Sequence, residues 1–203
     1  MSLLDRTTLG IVILGLLGLL VAIKQFATGS ILDKPRGNLL VQLVNIFNLF
    51  FLLVVNPLTA ILLLTGQLAL FNSTRLLITA PWIIIAEISG LALYVAGFLL
   101  MAWALITLGR YYQLGGSTPR SDDQLIVSGP YKLIRHPMYA AALSITLGLI
   151  GLLQSGIFVG VLGIYLVLIL PLIAMEEAGL RQAYGTPYTV YQRKTRKLIP
   201  FVY

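Results

Sequence analysis

Long apolar runs alternate with polar connections along this 203-residue chain. Runs suited to crossing a hydrocarbon core, which takes about 20 residues, fall at 9–23, 39–64, 78–108, 139–153 and 157–175. The pattern predicts an all-α integral membrane protein with five transmembrane helices. The first and fourth need flanking residues to complete a span, and the third is long enough to tilt or project. Residues 152–156 leave almost no loop, so the last two helices are expected to form a tight hairpin. Gly148 and Gly151 on one arm, with Gly156, Gly160 and Gly163 on the other, are expected to let those two backbones approach closely. No internal repeat or low-complexity linker interrupts the chain, and residues 1–203 read as a single membrane domain. Its polar parts are concentrated in two segments, 110–138 and 176–203.

Composition agrees, with 58% hydrophobic and 10% charged residues. The formal charge of +7 comes from basic residues dispersed between apolar runs, with no nucleic-acid module around them, so it points to lipid headgroups and membrane orientation. With the N-terminus outside, Lys24, Lys34, Arg36, Arg110, Arg120, Lys132, Arg135, Arg181, Arg193, Lys194, Arg196 and Lys197 are cytoplasmic, leaving only Arg6 and Arg75 outside. The positive-inside rule therefore predicts a cytoplasmic C-terminus, with both polar segments on that face. In a prokaryotic cell this would be the inner membrane. Lys24 follows the first apolar run without a small-residue cleavage signal, which predicts a retained helix. The absence of cysteine removes a disulfide framework, a thiolate nucleophile and a cysteine zinc site; one histidine and scattered acids argue against a metal centre.

The chemistry gathers around residues 125–139, where Pro130 and Pro137 impose an irregular approach to the next helix. Pro137 suits a first helical turn, which places Arg135 and His136 at a helix N-terminus favourable to an anion. Glu176 and Glu177 stand at the end of the fifth apolar run, on the same predicted face. They read either as solvated acids at a helix end or as acceptors for a ligand's ammonium group, with Arg135 or His136 holding its carboxylate. Tyr131 and Tyr139 read as interfacial belt aromatics or as pocket groups. Leu125, Ile126 and Val127 either line an adenine-sized apolar slot or dip into the interface. Gly129 before Pro130 predicts a turn. Tyr188, Tyr191 and the return to Leu198, Ile199 and Pro200 predict an ordered cap over the pocket rather than a plain basic anchor. Within the apolar runs, Asn45 and Asn48 share a helix face and are expected to bond between helices. Glu87 is a costly intramembrane acid, but lies toward the outer side, away from these motifs.

Gly-Pro-Tyr at 129–131, Arg-His-Pro-Met-Tyr at 135–139, Glu176-Glu177, Tyr-Gly-Thr-Pro-Tyr at 184–188 with Tyr191, and Leu-Ile-Pro at 198–200 occur in that order. The set resembles the isoprenylcysteine carboxyl methyltransferase and phospholipid methyltransferase superfamily of integral membrane enzymes, over residues 108–200. The resemblance implies an S-adenosylmethionine-dependent methyltransferase with Arg135, His136, Pro137, Tyr139, Glu176 and Glu177 at cofactor-site positions and Gly129 and Tyr131 as the flanking turn. It further implies a lipophilic acceptor entering from the bilayer and cofactor entering from the cytosol. Two positions depart from the family pattern: Ala141 stands where glycine is common, and Lys197 where arginine is typical. Arg135 with Lys197 or Arg193 is expected to orient an anionic acceptor such as a prenylated thiol-linked carboxylate. For an amino-phospholipid acceptor, Glu176 or Glu177 would take a proton. A sterol-type membrane reductase and a non-enzymatic membrane protein are the remaining alternatives.

Overall fold

A computed structural model describes residues 5–32, 38–113 and 123–199. Lys34, Arg36, Arg120 and Pro200, used above, lie outside the described residues. Every regular element among them is helical: α1 (Arg6–Thr28), α2 (Leu39–Phe50), α3 (Asn56–Leu64), α4 (Ala69–Asn72), α5 (Ala80–Leu108), α6 (Pro137–Leu153), α7 (Gly156–Tyr184) and α8 (Thr186–Lys194). The first helix outruns its apolar core because polar groups close both ends. Asp5 accepts from the Thr8 N–H, and Gly29, in the left-handed region at φ 75°, returns its N–H to Gln25.

α2 and α3 form one continuous span joined by a π turn, Phe51–Val55. Pro57 explains it. Proline offers no N–H to the carbonyl one turn earlier and its ring crowds that carbonyl, so the helix widens just ahead of it. The Asn56 amide donates back to the Phe51 carbonyl at 2.9 Å, and its carbonyl oxygen accepts from Tyr94 on α5 at 2.8 Å.

Among the described residues, four helical spans are long and apolar enough to cross a membrane: Arg6–Thr28, Leu39–Leu64, Trp82–Tyr111 and Gly156–Tyr184. The fourth predicted segment is α6, an apolar helix of 17 residues, about 25 Å long. The last predicted segment continues nine residues beyond its expected end, so Glu176, Glu177 and Arg181 are helical rather than part of a separate polar segment.

The hairpin turn is as short as expected, with Gln154 in the left-handed region and Ser155 completing it. The glycine seam, however, is between α6 and α5, not between α6 and α7. A Cβ at Gly148 would lie 2.6 Å from the Tyr94 backbone, and one at Gly151 2.6 Å from the Ala86 carbonyl. From the other side, Gly90 and Gly97 meet the α6 backbone at 2.7–2.8 Å. Gly160 and Gly163 have nothing within 4 Å. The small residues of α5 had no obvious partner in the sequence, yet between lipid-surrounded helices close backbone contact is the main attraction available. At this end of the bundle Leu76 donates to Gln154 and Gly156 donates to Thr74, both at 2.7 Å. Glu87 lines a small cavity there with Arg6, Arg75 and Gln154.

Gly148→Leu is expected to lower stability by about 3 kcal/mol or more, since the added atoms meet backbone that cannot yield. Gly163→Leu should stay within about 0.5 kcal/mol of wild type. Thermal unfolding of both variants in detergent compares the two helix faces.

Candidate functional site

Backbone pairing assembles the site. Gly129, at φ +55°, opens a 3-10 turn, Gly129–Lys132, that presses on α5: a Cβ would lie 2.5 Å from the Thr107 hydroxyl. The chain then turns through Leu133, and Ile134 to His136 meet the segment after α8. Arg135 N–H donates to the Arg196 carbonyl at 2.7 Å, His136 N–H to Lys197 at 3.0 Å, and Arg196 N–H to Leu133 at 3.3 Å. Two stretches some 60 residues apart thus form a short parallel pair. Tyr191 reinforces it, donating its hydroxyl to the Tyr131 carbonyl at 2.7 Å.

The charged side chains lie under this pairing. Arg135 Nε donates to Glu177 Oε1 at 2.7 Å, while its Nη1 donates to the carbonyls of Thr195, at 2.5 Å, and Gln192, at 3.2 Å. Both partners of the ion pair are more than nine-tenths buried. The His136 ring stands between the two acids, with Nδ1 3.4 Å from Glu176 Oε2 and Nε2 3.4 Å from Glu177 Oε1. Tyr139 donates to the other Glu176 oxygen at 2.9 Å, and Gln192 Nε2 donates to Glu177 Oε2 at 3.3 Å. The sequence anticipated a bound anion at the start of α6. The anions beside it are the protein's own carboxylates.

A neutral imidazole has one N–H and cannot donate to both acids. Burial, the largest single influence, disfavours the charged ring; the hydrogen bonds and charges of Glu176 and Glu177 together outweigh it and raise the His136 pKa. The imidazolium satisfies both contacts.

Beside this network lies a cavity of about 510 Å³, walled by α1, α2 and the π turn, α5, α6, α7 and α8. Leu125, Tyr131, Arg135, His136, Pro137, Tyr139 and Glu176 are on its wall. Glu177 is not; it stands behind, clamped by Arg135, His136 and Gln192. Four further expectations change. Val127 is 47% exposed and lies off the wall, whereas its neighbours Leu125 and Ile126 line it. Gly129 serves the turn against Thr107 rather than the wall. Lys197 lies off the wall, and its backbone carbonyl holds His136. The Arg135 fork, expected to orient an acceptor, binds Glu177 and the α8 terminus instead.

The wall also carries groups that sequence reasoning did not assign to a site. Lys24, 5.0 Å over the Tyr112 ring, and Asp123, which accepts from Gln113, bring charge from segments about a hundred residues apart. Asn45 and Asn48 line the cavity, although their spacing suggested helix pairing. Tyr188 was read as part of a cap. Its hydroxyl is buried on the wall without a hydrogen-bond partner among the described residues. Only the phase of α8 against the cavity distinguishes it from its neighbours.

Glu177→Gln leaves a buried guanidinium without its counter-charge, and a loss of about 3 kcal/mol or more in detergent unfolding is expected. The histidine adds a pH signature. Its folded-state pKa lies above its unfolded value of about 6.5, so its contribution is complete below that value and disappears as pH rises through the folded pKa. The melting-temperature gap between wild type and His136→Gln should therefore narrow from pH 6 toward pH 9, as measured by unfolding scans at matched ionic strength.

Comparison with known proteins places this geometry in context. The cobalt-zinc-cadmium resistance protein CzcN of Cupriavidus metallidurans is 30% identical over 97 residues, which are 48% of this chain and 45% of that protein. The chain thus spans less than half the length of the curated relative it matches. The solved structure of the eukaryotic intramembrane Ras methyltransferase ICMT, isoprenylcysteine carboxyl methyltransferase, superposes with a TM-score of 0.53 at 18% identity. That match covers 92% of this chain and 74% of the other, a likeness of fold. The phospholipid methyltransferase family model matches residues 85–187, from early α5 to the start of α8, and the chain therefore belongs to the phospholipid methyltransferase family.

Proposed function

We propose that this protein is an S-adenosylmethionine-dependent methyltransferase acting on a lipophilic acceptor, with its charged site toward the cytoplasm and all of residues 1–203 forming one membrane domain. The observation that carries the reading is Glu176, held by Tyr139 and His136 on the wall of a cavity that is also lined by Tyr188, whose hydroxyl is buried without a partner among the described residues. An unmatched buried hydroxyl costs about 1–3 kcal/mol, and a bound polar ligand removes that cost. The cavity volume suits a nucleotide-sized molecule.

In this reading Glu176 accepts from the amino-acid ammonium, Tyr188 donates to the carboxylate, and Leu125 and Tyr131 flank the base. The cofactor supplies a methyl group on a sulfonium, open to in-line displacement. The protein contributes orientation and dryness. His136 and Tyr139 fix the Glu176 carboxylate from both sides, and Arg135 acts through Glu177 as a positioning residue. Leu49, Leu52 and Met101 keep water from the reacting atoms. No protein nucleophile is needed.

For the acceptor, the reading follows an isoprenylcysteine-like carboxylate. Lys24 is a wall cation of the kind such an acceptor needs, and it also donates to the Ser30 carbonyl. N-methylation of an amino headgroup is the second reading. It is favoured by Asp123 and Glu176, two wall carboxylates able to receive the proton an amine releases.

Calorimetry with S-adenosylhomocysteine is expected to show one site, weakened about tenfold by Tyr188→Phe and more by Glu176→Gln. Methyl-labelled cofactor, supplied with each lipid class in turn, should mark the prenylated carboxylate. A labelled headgroup amine instead selects the second reading. Absence of S-adenosylhomocysteine binding together with tight binding of reduced nicotinamide would replace this function with a reductase.

A further inference from the structure

The cavity has two chemically distinct ends. Asn38, which caps α2, donates to the Met175 sulfur at 3.7 Å, so the start of α2 is level with Glu176. Asn48 lies nine residues further along, about 14 Å deeper at 1.5 Å per residue. An independent contact agrees: Phe47 stacks on Tyr165 at 5.7 Å, and Tyr165 precedes Glu176 by eleven residues of α7, about 16 Å. Of the charged wall residues, Lys24, Asp123 and Arg135 belong to helix ends or connections and Glu176 to the last third of α7. The wall contributed by α2, the π turn and Asn56 holds no charged residue; its polar groups are Asn45, Asn48 and Asn56.

Asn56 is occupied by Phe51 and Tyr94. The Asn48 side-chain amide makes no hydrogen bond to a described residue, yet sits half-buried on the wall one turn before the π turn. That turn widens the helix where Leu52 and Leu53 complete the wall, and Leu53 is also 40% exposed on the helix surface. An amide offers two donors and an acceptor. At this depth a charged group is costly to bring in, whereas an uncharged polar one is not.

We infer that Asn48 is a specificity-determining residue: it recognises an uncharged hydrogen-bonding group, a carbonyl, amide or hydroxyl, on the apolar portion of the methyl acceptor. This deepens the proposed function, rests on the cavity being an acceptor site, and favours the phospholipid acceptor, whose ester carbonyls supply such a group where an isoprenyl chain has none. The acceptor lies along the cavity with its reactive end toward Glu176 and its neutral polar group against Asn48. Its hydrocarbon continues past Leu53 toward lipid.

Two photoreactive probes of equal length, an N-alkylacetamide and an alkane, test this on the full chain in lipid nanodiscs. The amide probe should label wild type about fivefold more efficiently than the alkane, the advantage of one net hydrogen bond. The ratio should fall to about one in Asn48→Leu and return in part in Asn48→Gln, with S-adenosylhomocysteine binding equal in all three. Asn48→Ala takes the place of the leucine variant if that variant fails to fold. A ratio of about one in wild type, or a ratio unaffected by removing the amide, overturns the inference. If the ratio follows Asn48 while none of the proteins binds S-adenosylhomocysteine, the neutral subsite stands and the methyltransferase reading falls.

Discussion

The buried pair of Arg135 and Glu177 is the constraint on which the site depends. Two charges more than nine-tenths buried are tolerated only where every remaining donor and acceptor is met. Here Nη1 of the guanidinium donates to the Gln192 and Thr195 carbonyls, and the carboxylate also meets His136 and Gln192. One pair thereby ties the approach to α6, the end of α7 and the end of α8 into a single body. Glu176, its neighbour in sequence, is left on the cavity side and held by Tyr139 and His136. Adjacent acids thus take different tasks, one fastening the fold and one facing the ligand space.

The cavity follows from that fastening together with the close contact of α5 and α6. Glycines at 90, 97, 148 and 151 bring those backbones within side-chain-free distance. α6 is thereby held beside α5, and its N-terminus, carrying His136 and Tyr139, is presented toward α7. On the other side the π turn ahead of Pro57 widens the α2–α3 span where the wall changes from charged to neutral. The result is a space with a charged end and an apolar end with a few amides, which in the proposed function take the methyl donor and the lipid. A reaction joining a polar methyl donor to a membrane-dissolved acceptor needs both, and needs water kept from between them.

The apolar runs alone determined that the chain is helical and where its long helices run, because in lipid every backbone group must be satisfied within its own segment. The motif at 135–139 and the paired acids were legible as the chemistry-bearing residues because polar groups in so apolar a chain require a reason. Tertiary structure decided which of them line the cavity. It turned Glu177, Val127 and Lys197 away from it and brought Asn48 and Tyr188 onto it. It also assigned the glycine seam to α5, and the Arg135 fork to Glu177 and the α8 terminus. The physical reason is that hydropathy is a property of each segment by itself, whereas the direction of a side chain and the partner of a charge are settled only when segments distant in sequence are packed together.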